Sequence, residues 1–361
     1  MSFSDIRDQE TAVRFLGNML SLDRIPNAVL LWGPPGVGKR LASSQIVKAI
    51  NCPERENDSC GECLTCRKID HGNHPDLHTV VPVKKSRNID VEAINGLIEL
   101  ASLRPFESKW RIFIIHEADR MRPPAQNHLL KTLEEPLGRS LFILISEHPK
   151  RLLPTIRSRC QQIRFGALKP QTVVELLRRD HEVSEETAVA IAAIAQGQMS
   201  RAVDLIESEK RAVVFDVIKR LAEGDNPLQL AEEFAKYLTN QKTELQAALE
   251  AESSPEDLKA LSKEDREQIK DEQTALVDAV SRRDILEHLY LMETWYRDKL
   301  VYNATSDASR LLNGDQVAFL ESAEIDGPDE KIGAIEKARL YLERFLNEER
   351  VFRDLFFALA K

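Results

Sequence analysis

Residues 28–39 have the sequence AVLLWGPPGVGK, an apolar run that leads directly into a glycine-rich loop ending in a lysine. The run Ala28–Trp32 predicts a buried strand, and Leu41–Ile50 predicts the helix that follows the loop. This order is typical of the G-x-x-x-x-G-K phosphate loop, where glycines let backbone N–H groups converge on phosphate oxygens and the helix N-terminus adds positive charge. A chance loop is the alternative, and the flanking strand and helix argue against it. The candidate nucleotide-binding residues are Gly33, Gly36, Gly38 and Lys39.

Short apolar runs and amphipathic stretches continue to alternate well beyond the loop. Further strands are predicted at Ile112–Ile115, Leu141–Ile145 and Gln161–Phe165, and a further helix is predicted at Ala125–Leu133. Such alternation is typical of an α/β domain in which helices cover the faces of a parallel sheet. The sequence therefore predicts an α/β domain over residues 1–167.

Beyond this domain, apolar residues recur only at helical spacing. Three short helices predict a small helical domain over residues 168–211. An all-helical bundle is predicted over residues 212–361, where the aromatic residues Trp295, Tyr296 and Tyr302 are expected in the core. The charged stretch 252–272 is predicted to be a solvated helix or a mobile connection.

The two positions that hold Mg²⁺ in an active phosphate-loop ATPase are altered in this chain. The residue after the loop lysine is Arg40, where Ser or Thr would place a hydroxyl on the metal. The strand at Ile112–Ile115 is followed by His116, where a Walker B motif has its metal-binding Asp, whereas the next residue, Glu117, is retained. Phosphoryl transfer depends on a metal that neutralises charge on the β and γ oxygens. We therefore expect hydrolysis to be lost, whereas binding of ATP or ADP can survive.

Four of the five cysteines fall in one short segment, residues 52–66. Their spacing, C-x7-C-x2-C-x2-C, allows four thiolates to converge on one tetrahedral centre, and a cytosolic protein keeps such thiols reduced. We therefore predict structural Zn²⁺ in a closed site that leaves no position for a catalytic water. The nearby His71 and His74 are alternative ligands but are expected to be surface histidines, and Cys160 is expected to be a buried thiol. The predicted zinc ligands are Cys52, Cys60, Cys63 and Cys66.

Charge is distributed unevenly along the 361 residues, whose formal net charge is -9. Residues 1–165 carry 24 basic and 19 acidic side chains, so the remainder has a balance of -14. A mildly basic half suits contact with nucleic acid and an acidic helical half suits protein contacts, although solvated faces explain both equally well. The first ten residues lack the apolar core of a signal peptide, and the longest apolar runs are too short to span a membrane. We therefore expect a cytoplasmic protein with no membrane partner.

Four further sequence elements occur in a fixed order around the loop and the cysteines. They are RIPNA at Arg24–Ala28, HPDL at His74–Leu77, NHLLKTLEEP at Asn127–Pro136 and LLPTIRSRC at Leu152–Cys160. In this order they resemble the bacterial DNA polymerase III clamp-loader subunits, which belong to the AAA+ class, over residues 7–205. The resemblance implies an AAA+ domain with a zinc module, then a small helical lid domain, and a collar-like oligomerisation domain in the C-terminal bundle.

The resemblance also implies roles for individual residues. Arg159, with Ser158 beside it, matches the arginine finger that reaches the ATP site of a neighbouring subunit, where such a residue is worth about 10³–10⁵ in rate. Ser146 lies near the sensor 1 position, and Arg201 matches sensor 2. Without the neighbouring residues of the motif, a surface salt bridge would be the simpler interpretation of Arg159.

Within this family, altered Mg²⁺ positions together with a retained finger are most similar to the delta-prime type. The chain is thus expected to act in DNA replication as a largely non-hydrolytic scaffold that supplies Arg159 in trans during loading of the sliding clamp. The implied partners are gamma/tau and delta subunits, with the sliding clamp and primer-template DNA reached through the complex. The alternatives are an ATP-hydrolysing gamma/tau-type motor and a stand-alone zinc-dependent DNA-binding protein, although the cysteine segment lacks the flanking basic and aromatic residues of a DNA-reading finger.

Overall fold

A computed structural model describes residues 2–82, 88–135, 138–251 and 263–360. The chain divides into two compact units. The first comprises Met1–Thr172 together with Gly197–Arg201, and the second comprises Val173–Gln196 and Ala202–Lys361. The division into three domains that the sequence suggests stays a prediction.

The first unit is built on a parallel five-stranded sheet, which confirms the predicted fold class. Its strands are β1 (Ala28–Trp32), β2 (Leu77–Val80), β3 (Arg111–Ile115), β4 (Ser140–Ser146) and β5 (Gln161–Arg164). They are ordered β2-β3-β4-β1-β5, so β1 lies between β4 and β5. The sequence predicts every one of these strands except β2, which lies at an edge of the sheet.

Successive residues of each strand point to opposite faces of the sheet. In the central strands the residues of both faces are buried in apolar clusters. Val29 and Leu31 of β1 pack in the apolar cluster on one face, whereas Leu30 packs with Phe113 and Phe142 on the other. The two phenylalanine rings stack with their centroids 4.8 Å apart. Burial on both sides explains why the central strands β1, β3 and β4 appear in the sequence as largely continuous apolar runs instead of alternating patterns.

The helices of the first unit are α1 (Glu10–Ser21), α2 (Lys39–Asn51), α3 (Leu64–Asp70), α4 (Val91–Ala101), α5 (Pro123–Glu134) and α6 (Pro154–Arg159). Helix α1 precedes β1, and the other helices of the first unit connect successive strands, as a parallel sheet requires. Helix α2 begins directly after the glycine-rich loop. Helices α5 and α6 each begin at a proline, whose fixed φ suits the first helical turn.

The remainder of the described chain is helical, as predicted. Its helices are α7 (Pro170–Asp180), α8 (Glu185–Ala195), α9 (Met199–Glu207), α10 (Lys210–Ala222), α11 (Pro227–Ala251), α12 (Lys263–Thr305), α13 (Val317–Ser322), α14 (Pro328–Glu343) and α15 (Glu348–Ala360). Helix α11 packs on α15, and α12 packs on α14. Trp295 and Tyr296 are almost fully buried, which confirms their predicted place in the core. Tyr302 is only half-buried, because its hydroxyl donates to Glu321 at 2.5 Å at the surface, so its predicted place in the core is wrong.

Two findings concern the extent of these helices. Of the charged stretch 252–272, residues 252–262 lie outside the described residues, and the rest belongs to α12. Nowhere in the described ranges does a helix combine the length and the apolar composition that crossing a membrane would demand.

A buried carboxylate organises the loop that leads into β3. Asp76 is 1% exposed, and its oxygens accept the backbone N–H groups of Phe106, Glu107 and Ser108 at 2.6, 2.9 and 2.9 Å. Arg111 donates to the same carboxylate at 3.4 Å. Burial alone would raise the pKa of Asp76, but these donors hold the pKa below its usual value.

His74 belongs to the same arrangement, so its predicted place on the surface is wrong. Its Nδ1 accepts the backbone N–H of Asp76 at 3.2 Å, and its Nε2 lies 3.1 Å from Oγ of Ser108 and 3.4 Å from a carboxylate oxygen of Glu107. Because the loop before β3 folds over the ring, His74 is only 3% exposed. Burial lowers the pKa of His74 despite the neighbouring carboxylates. His71 is exposed, as predicted.

We expect Asp76→Ala to lower the free energy of unfolding by about 3 kcal/mol, because it leaves three backbone N–H donors without their acceptor and a buried guanidinium without its carboxylate partner. A depressed carboxylate pKa stabilises the fold above the unfolded pKa, and this contribution is lost as the pH falls through the lower folded value. The difference between the variant and the unmodified chain should therefore shrink below about pH 3.8. Urea unfolding at several pH values measures it, with the exposed Asp180→Ala as the matched control.

Candidate phosphate-binding site and metal centre

The glycine-rich loop joins β1 to α2 with a backbone that favours glycine. Gly33, Gly36 and Gly38 have φ angles of 148°, 69° and 96°, a region that disfavours side chains. A Cβ atom on Gly33 would lie 2.2 Å from the carbonyl oxygen of Phe165, and one on Gly36 would lie 2.3 Å from the backbone nitrogen of Ser200. The loop is therefore held closely between the chain that follows β5 and the segment around residue 200.

Lys39 is the first residue of α2 and is 6% exposed. Its Nζ donates to the carbonyl oxygen of Gly33 at 2.7 Å and to that of Pro34. Burial lowers the pKa of Lys39, although the carboxylates of Glu147 and Asp119 act in the opposite direction. A cavity of about 340 Å³ opens beside this lysine. Residues that line it include Gly36, Gly38, Arg40, Glu117, Ser146 and Ser200.

The two altered metal positions lie close to one carboxylate. Nη2 of the exposed Arg40 lies 3.9 Å from Oε1 of Glu117, and the other oxygen of Glu117 accepts a hydrogen bond from Nε of Arg120 at 2.5 Å. His116 is half-buried, and burial together with the neighbouring Arg40 lowers its pKa to about 4, so its ring is neutral at pH 7. Neither Arg40 nor His116 supplies the oxygen ligands that Mg²⁺ prefers.

Ser146, the last residue of β4, is buried and hydrogen-bonded to Asp119, a residue absent from the predicted site. Its Oγ donates to Oδ1 of Asp119 at 2.7 Å, and the backbone N–H of Glu147 donates to the same oxygen at 3.2 Å. Asp119 lies just beyond β3, so this contact links the carboxyl ends of two adjacent strands. Asp119 is a single acidic residue that belongs to no recognisable motif, so the sequence does not indicate its contact with Ser146.

Arg159, the candidate finger, is the last residue of α6 and is exposed. Its Nη1 donates to the carbonyl oxygen of Thr155 at 3.1 Å, and its Nη2 forms an ion pair with Glu134 at the end of α5. Oγ of Ser158 donates to the same carbonyl oxygen at 3.0 Å. The contacts of Ser158 are thus local to α6, whereas the guanidinium of Arg159 is tethered at the surface by a carboxylate of the neighbouring helix.

At the start of α9, the residue that lines the cavity is Ser200. The adjacent Arg201, which the resemblance matches to sensor 2, is half-buried and is not among the described lining residues. Its backbone N–H donates to the carbonyl oxygen of Gln198 at 3.0 Å. Its role as a sensor stays a prediction.

Four cysteine side chains converge as the spacing predicts. The Sγ atoms all lie within 4.8 Å of one another, and the described residues contain no second such group of metal-ligating side chains. The cluster consists of Cys52, Cys60, Cys63 and Cys66. None of the five cysteines is in a disulfide, and Cys160 is buried elsewhere, as predicted. A four-thiol cluster of this size can bind a metal ion such as zinc.

The backbone around the cluster prepares one thiol to lose its proton. Sγ of Cys60 accepts the backbone N–H groups of Cys63 at 3.2 Å and Glu62 at 3.4 Å, and these donors lower the pKa of Cys60 to about 6. Burial raises the pKa of Cys63, and it raises that of Cys66 to about 12. Because a metal binds deprotonated thiolates, a cation at the centre would have to displace the protons of Cys63 and Cys66, whose pKa values are raised.

The segment that carries the cluster is attached to α2. Cys52 directly follows α2, and its backbone N–H donates to the carbonyl oxygen of Lys48 at 2.7 Å. Oγ of Ser59 donates to Oε1 of Gln45 at 2.8 Å, and the buried Lys48 forms an ion pair with Asp70 at the end of α3. Helix α2 therefore begins at the phosphate loop and ends beside a candidate metal ligand.

Comparison with known proteins identifies relatives of the N-terminal part. Residues 8–169 match the family model described as "DNA polymerase III, delta subunit". The chain is 36% identical over 204 residues to DNA polymerase III subunit delta' of Bacillus subtilis, a match that covers 56% of this chain and 61% of that protein. It is 32% identical over 225 residues to DNA polymerase III subunit tau of the same organism, covering 60% of this chain and 39% of that protein. The chain thus spans less than two thirds of the length of either relative.

Among solved structures, a DNA polymerase III gamma subunit-related protein from Thermotoga maritima aligns with 98% of this chain and 99% of its own, at 14% identity and a TM-score of 0.42. A likeness at this level carries no conclusion. The residues that match the family model include the phosphate loop, the four clustered cysteines and Arg159. Over residues 8–169 this chain is therefore similar to DNA polymerase III subunits of the delta-prime and tau types.

Proposed function

We propose that this chain is a delta-prime-like subunit of the DNA polymerase III clamp loader, a largely non-hydrolytic AAA+ scaffold that supplies Arg159 in trans to a neighbouring ATPase subunit. Its partners in this proposal are gamma/tau and delta subunits, and through them the sliding clamp and primer-template DNA. The observation that carries the proposal is a contrast within one domain. The chain's own phosphate loop lacks both metal ligands, whereas a guanidinium lies exposed at the end of α6.

The chemistry of the loop supports the non-hydrolytic part of the proposal. A transferring phosphoryl group needs a cation bound between oxygen ligands, and the two expected ligand positions hold the guanidinium of Arg40 and the neutral ring of His116. Glu117, which would orient the attacking water, accepts a hydrogen bond from Arg120 instead. The chain therefore lacks the two metal ligands for ATP hydrolysis, and its water-orienting carboxylate is engaged by Arg120.

The surroundings of Arg159 support the part of the proposal that acts in trans. An arginine keeps its charge at all physiological pH values and offers a planar fork of donors to phosphate oxygens. Its contact with Glu134 is an exposed ion pair, which contributes about 0–1 kcal/mol. A phosphate of higher charge on a neighbouring subunit can therefore displace Glu134 at little cost.

We expect the isolated chain to release no phosphate from ATP above background, because the metal that would neutralise the transition state has no oxygen ligands in the loop. A steady-state assay of phosphate release with Mg²⁺ measures this. The double variant Arg40→Thr, His116→Asp tests whether those two positions are the cause. Turnover by the unmodified chain that Lys39→Ala abolishes would contradict the scaffold function.

We expect Arg159→Ala to leave folding, metal content and assembly intact but to lower the DNA-stimulated ATPase of the reconstituted complex and slow clamp loading. The neighbouring site should become nearly silent, since a trans arginine is worth about 10³–10⁵ in rate. Arg159→Lys should recover little, because lysine lacks the planar fork. The matched control is Arg139→Ala, which removes an exposed arginine at the opposite end of β4 from Ser146.

Two results would count against this role of Arg159. The first is assembly at normal affinity with unchanged ATPase activity and unchanged clamp loading. The second is loss of assembly itself, which would make Arg159 an interface residue rather than a finger.

We propose zinc as the metal of the four-cysteine cluster, in a structural role. Four thiolates with no oxygen or water ligand are typical of structural zinc sites, and the segment 52–66 is too short to bury an apolar core of its own. Zinc would then hold the end of α2 against α3, since Cys52 follows one helix and Cys63 caps the other.

We expect elemental analysis of chain purified without chelator to find stoichiometric zinc, and Cys60→Ser to lose it. Limited proteolysis should then cut the 52–66 segment faster while the C-terminal helices stay resistant, because only the segment depends on the metal. Cys160→Ala is the control, since it removes a buried thiol outside the cluster. Unmodified chain without stoichiometric zinc would refute the assignment.

An ATP-hydrolysing motor of the gamma/tau type is the second candidate, because the tau subunit of Bacillus subtilis is 32% identical over a comparable stretch. This candidate requires Mg²⁺-dependent hydrolysis at the chain's own loop. The phosphate-release assay on the isolated chain therefore separates the two functions.

A further inference from the structure

The cavity beside the phosphate loop is faced by charges of both signs. Among its described lining residues, Lys39 and Arg40 are cationic, and Glu117 and Glu147 are anionic. Helix α2 is 13 residues long, and its N-cap, Gly38, has no side chain to bond the first backbone N–H groups. Those N–H groups and the two cations together favour an anion in the cavity.

The carboxylate nearest to Arg40 is already occupied by the chain's own cations. Nη2 of Arg40 lies 3.9 Å from Oε1 of Glu117, and Nε of Arg120 donates to Oε2 at 2.5 Å. A divalent cation at Glu117 would have to displace one guanidinium and would be repelled by the other. His116, at the second metal position, offers nitrogen where Mg²⁺ prefers oxygen. The positive charge beside Glu117 is therefore supplied by the side chains of Arg40 and Arg120 and not by a bound metal ion.

Arg40 is placed to exchange its carboxylate partner for a phosphate. Its side chain is 70% exposed, in contrast to the buried Lys39. An exposed ion pair at 3.9 Å is weak and is readily exchanged. A guanidinium can bond two phosphate oxygens at once and stays charged at any physiological pH.

We propose that the loop binds a diphosphate group without a divalent cation, and that the guanidinium of Arg40 supplies the charge which Mg²⁺ supplies beside loops that carry Ser or Thr at this position. The carboxylates of Glu117 and Glu147 in the lining disfavour additional negative charge in the cavity, so a diphosphate matches the charges of the cavity better than a triphosphate does. The proposal concerns the chain's own loop and does not depend on Arg159 acting in trans.

The test is a calorimetric titration of the full chain with ADP and, separately, with inorganic pyrophosphate, each in EDTA and in excess Mg²⁺. We expect binding in EDTA and no gain in affinity when Mg²⁺ is present. Equal affinities for ADP and pyrophosphate would identify the diphosphate alone as the recognised group. Tighter binding of ADP would add recognition of the nucleoside, and both results support the proposal.

Variants of Arg40 assign the effect to its guanidinium. Arg40→Ser should weaken binding in EDTA about tenfold or more, the typical consequence of losing charge-assisted hydrogen bonds. Arg40→Lys keeps the charge without the fork and should bind with intermediate affinity. Because Arg40 is exposed, both variants should fold, as circular dichroism will check, and either one suffices for the test. The matched control is Arg353→Ser, which removes an exposed arginine of α15 in the other compact unit.

Three results would overturn the proposal: binding that requires Mg²⁺, absence of binding in both buffers, or Arg40→Ser binding as tightly as the unmodified chain. The test of Arg159 is made on the assembled complex and measures the neighbouring subunit's ATPase activity. Failure of either proposal is therefore distinguishable from failure of the other.

Discussion

Strand β1 is the element on which the phosphate site depends, because it is hydrogen-bonded along both edges and covered on both faces. The carbonyl oxygen of Trp32 accepts the N–H of Phe165 at 2.8 Å, and the N–H of Gly33 donates to the carbonyl oxygen of Ser146 at 3.2 Å. The chain that leaves β1 is thus fixed between the ends of β4 and β5 before the loop turns. Ser146 and Glu117, which lie at the carboxyl ends of neighbouring strands, face the same cavity, as is general for ligand sites of open parallel sheets.

The features that could be predicted from the sequence are those whose signal is local. The phosphate loop and the four cysteines are each defined by residues within one short segment, and the central strands are recognisable because burial on both faces requires continuous apolar runs. Strand β2 has the sequence LHTV, pairs only with β3 and is at most half-buried, so it shows neither an apolar run nor an alternating pattern. Its length of four residues leaves too little periodicity to detect.

The contacts that complete the site join residues far apart in the chain, and no local pattern reports them. Ser146 bonds Asp119 across 27 positions, and the loop before β3 bonds Asp76 across 30 or more. The prediction that His74 lies on the surface is wrong for the same reason, because the burial of its ring depends on contacts with that loop. Arg40 and His116 could be recognised as departures from a motif, but their common neighbour Glu117 and its second partner, Arg120, become visible only in three dimensions.

Helix α2 connects the phosphate loop with Cys52, and its length has a consequence for both. Its 13 residues span about 20 Å at 1.5 Å per residue, and each residue turns the helix by about 100°. Deleting or inserting one residue would rotate the cysteine by that angle relative to Lys39 and carry its sulfur away from the other three. The interval between the two sites is thus fixed in register, because an insertion or deletion of a single residue would not leave both ends in place.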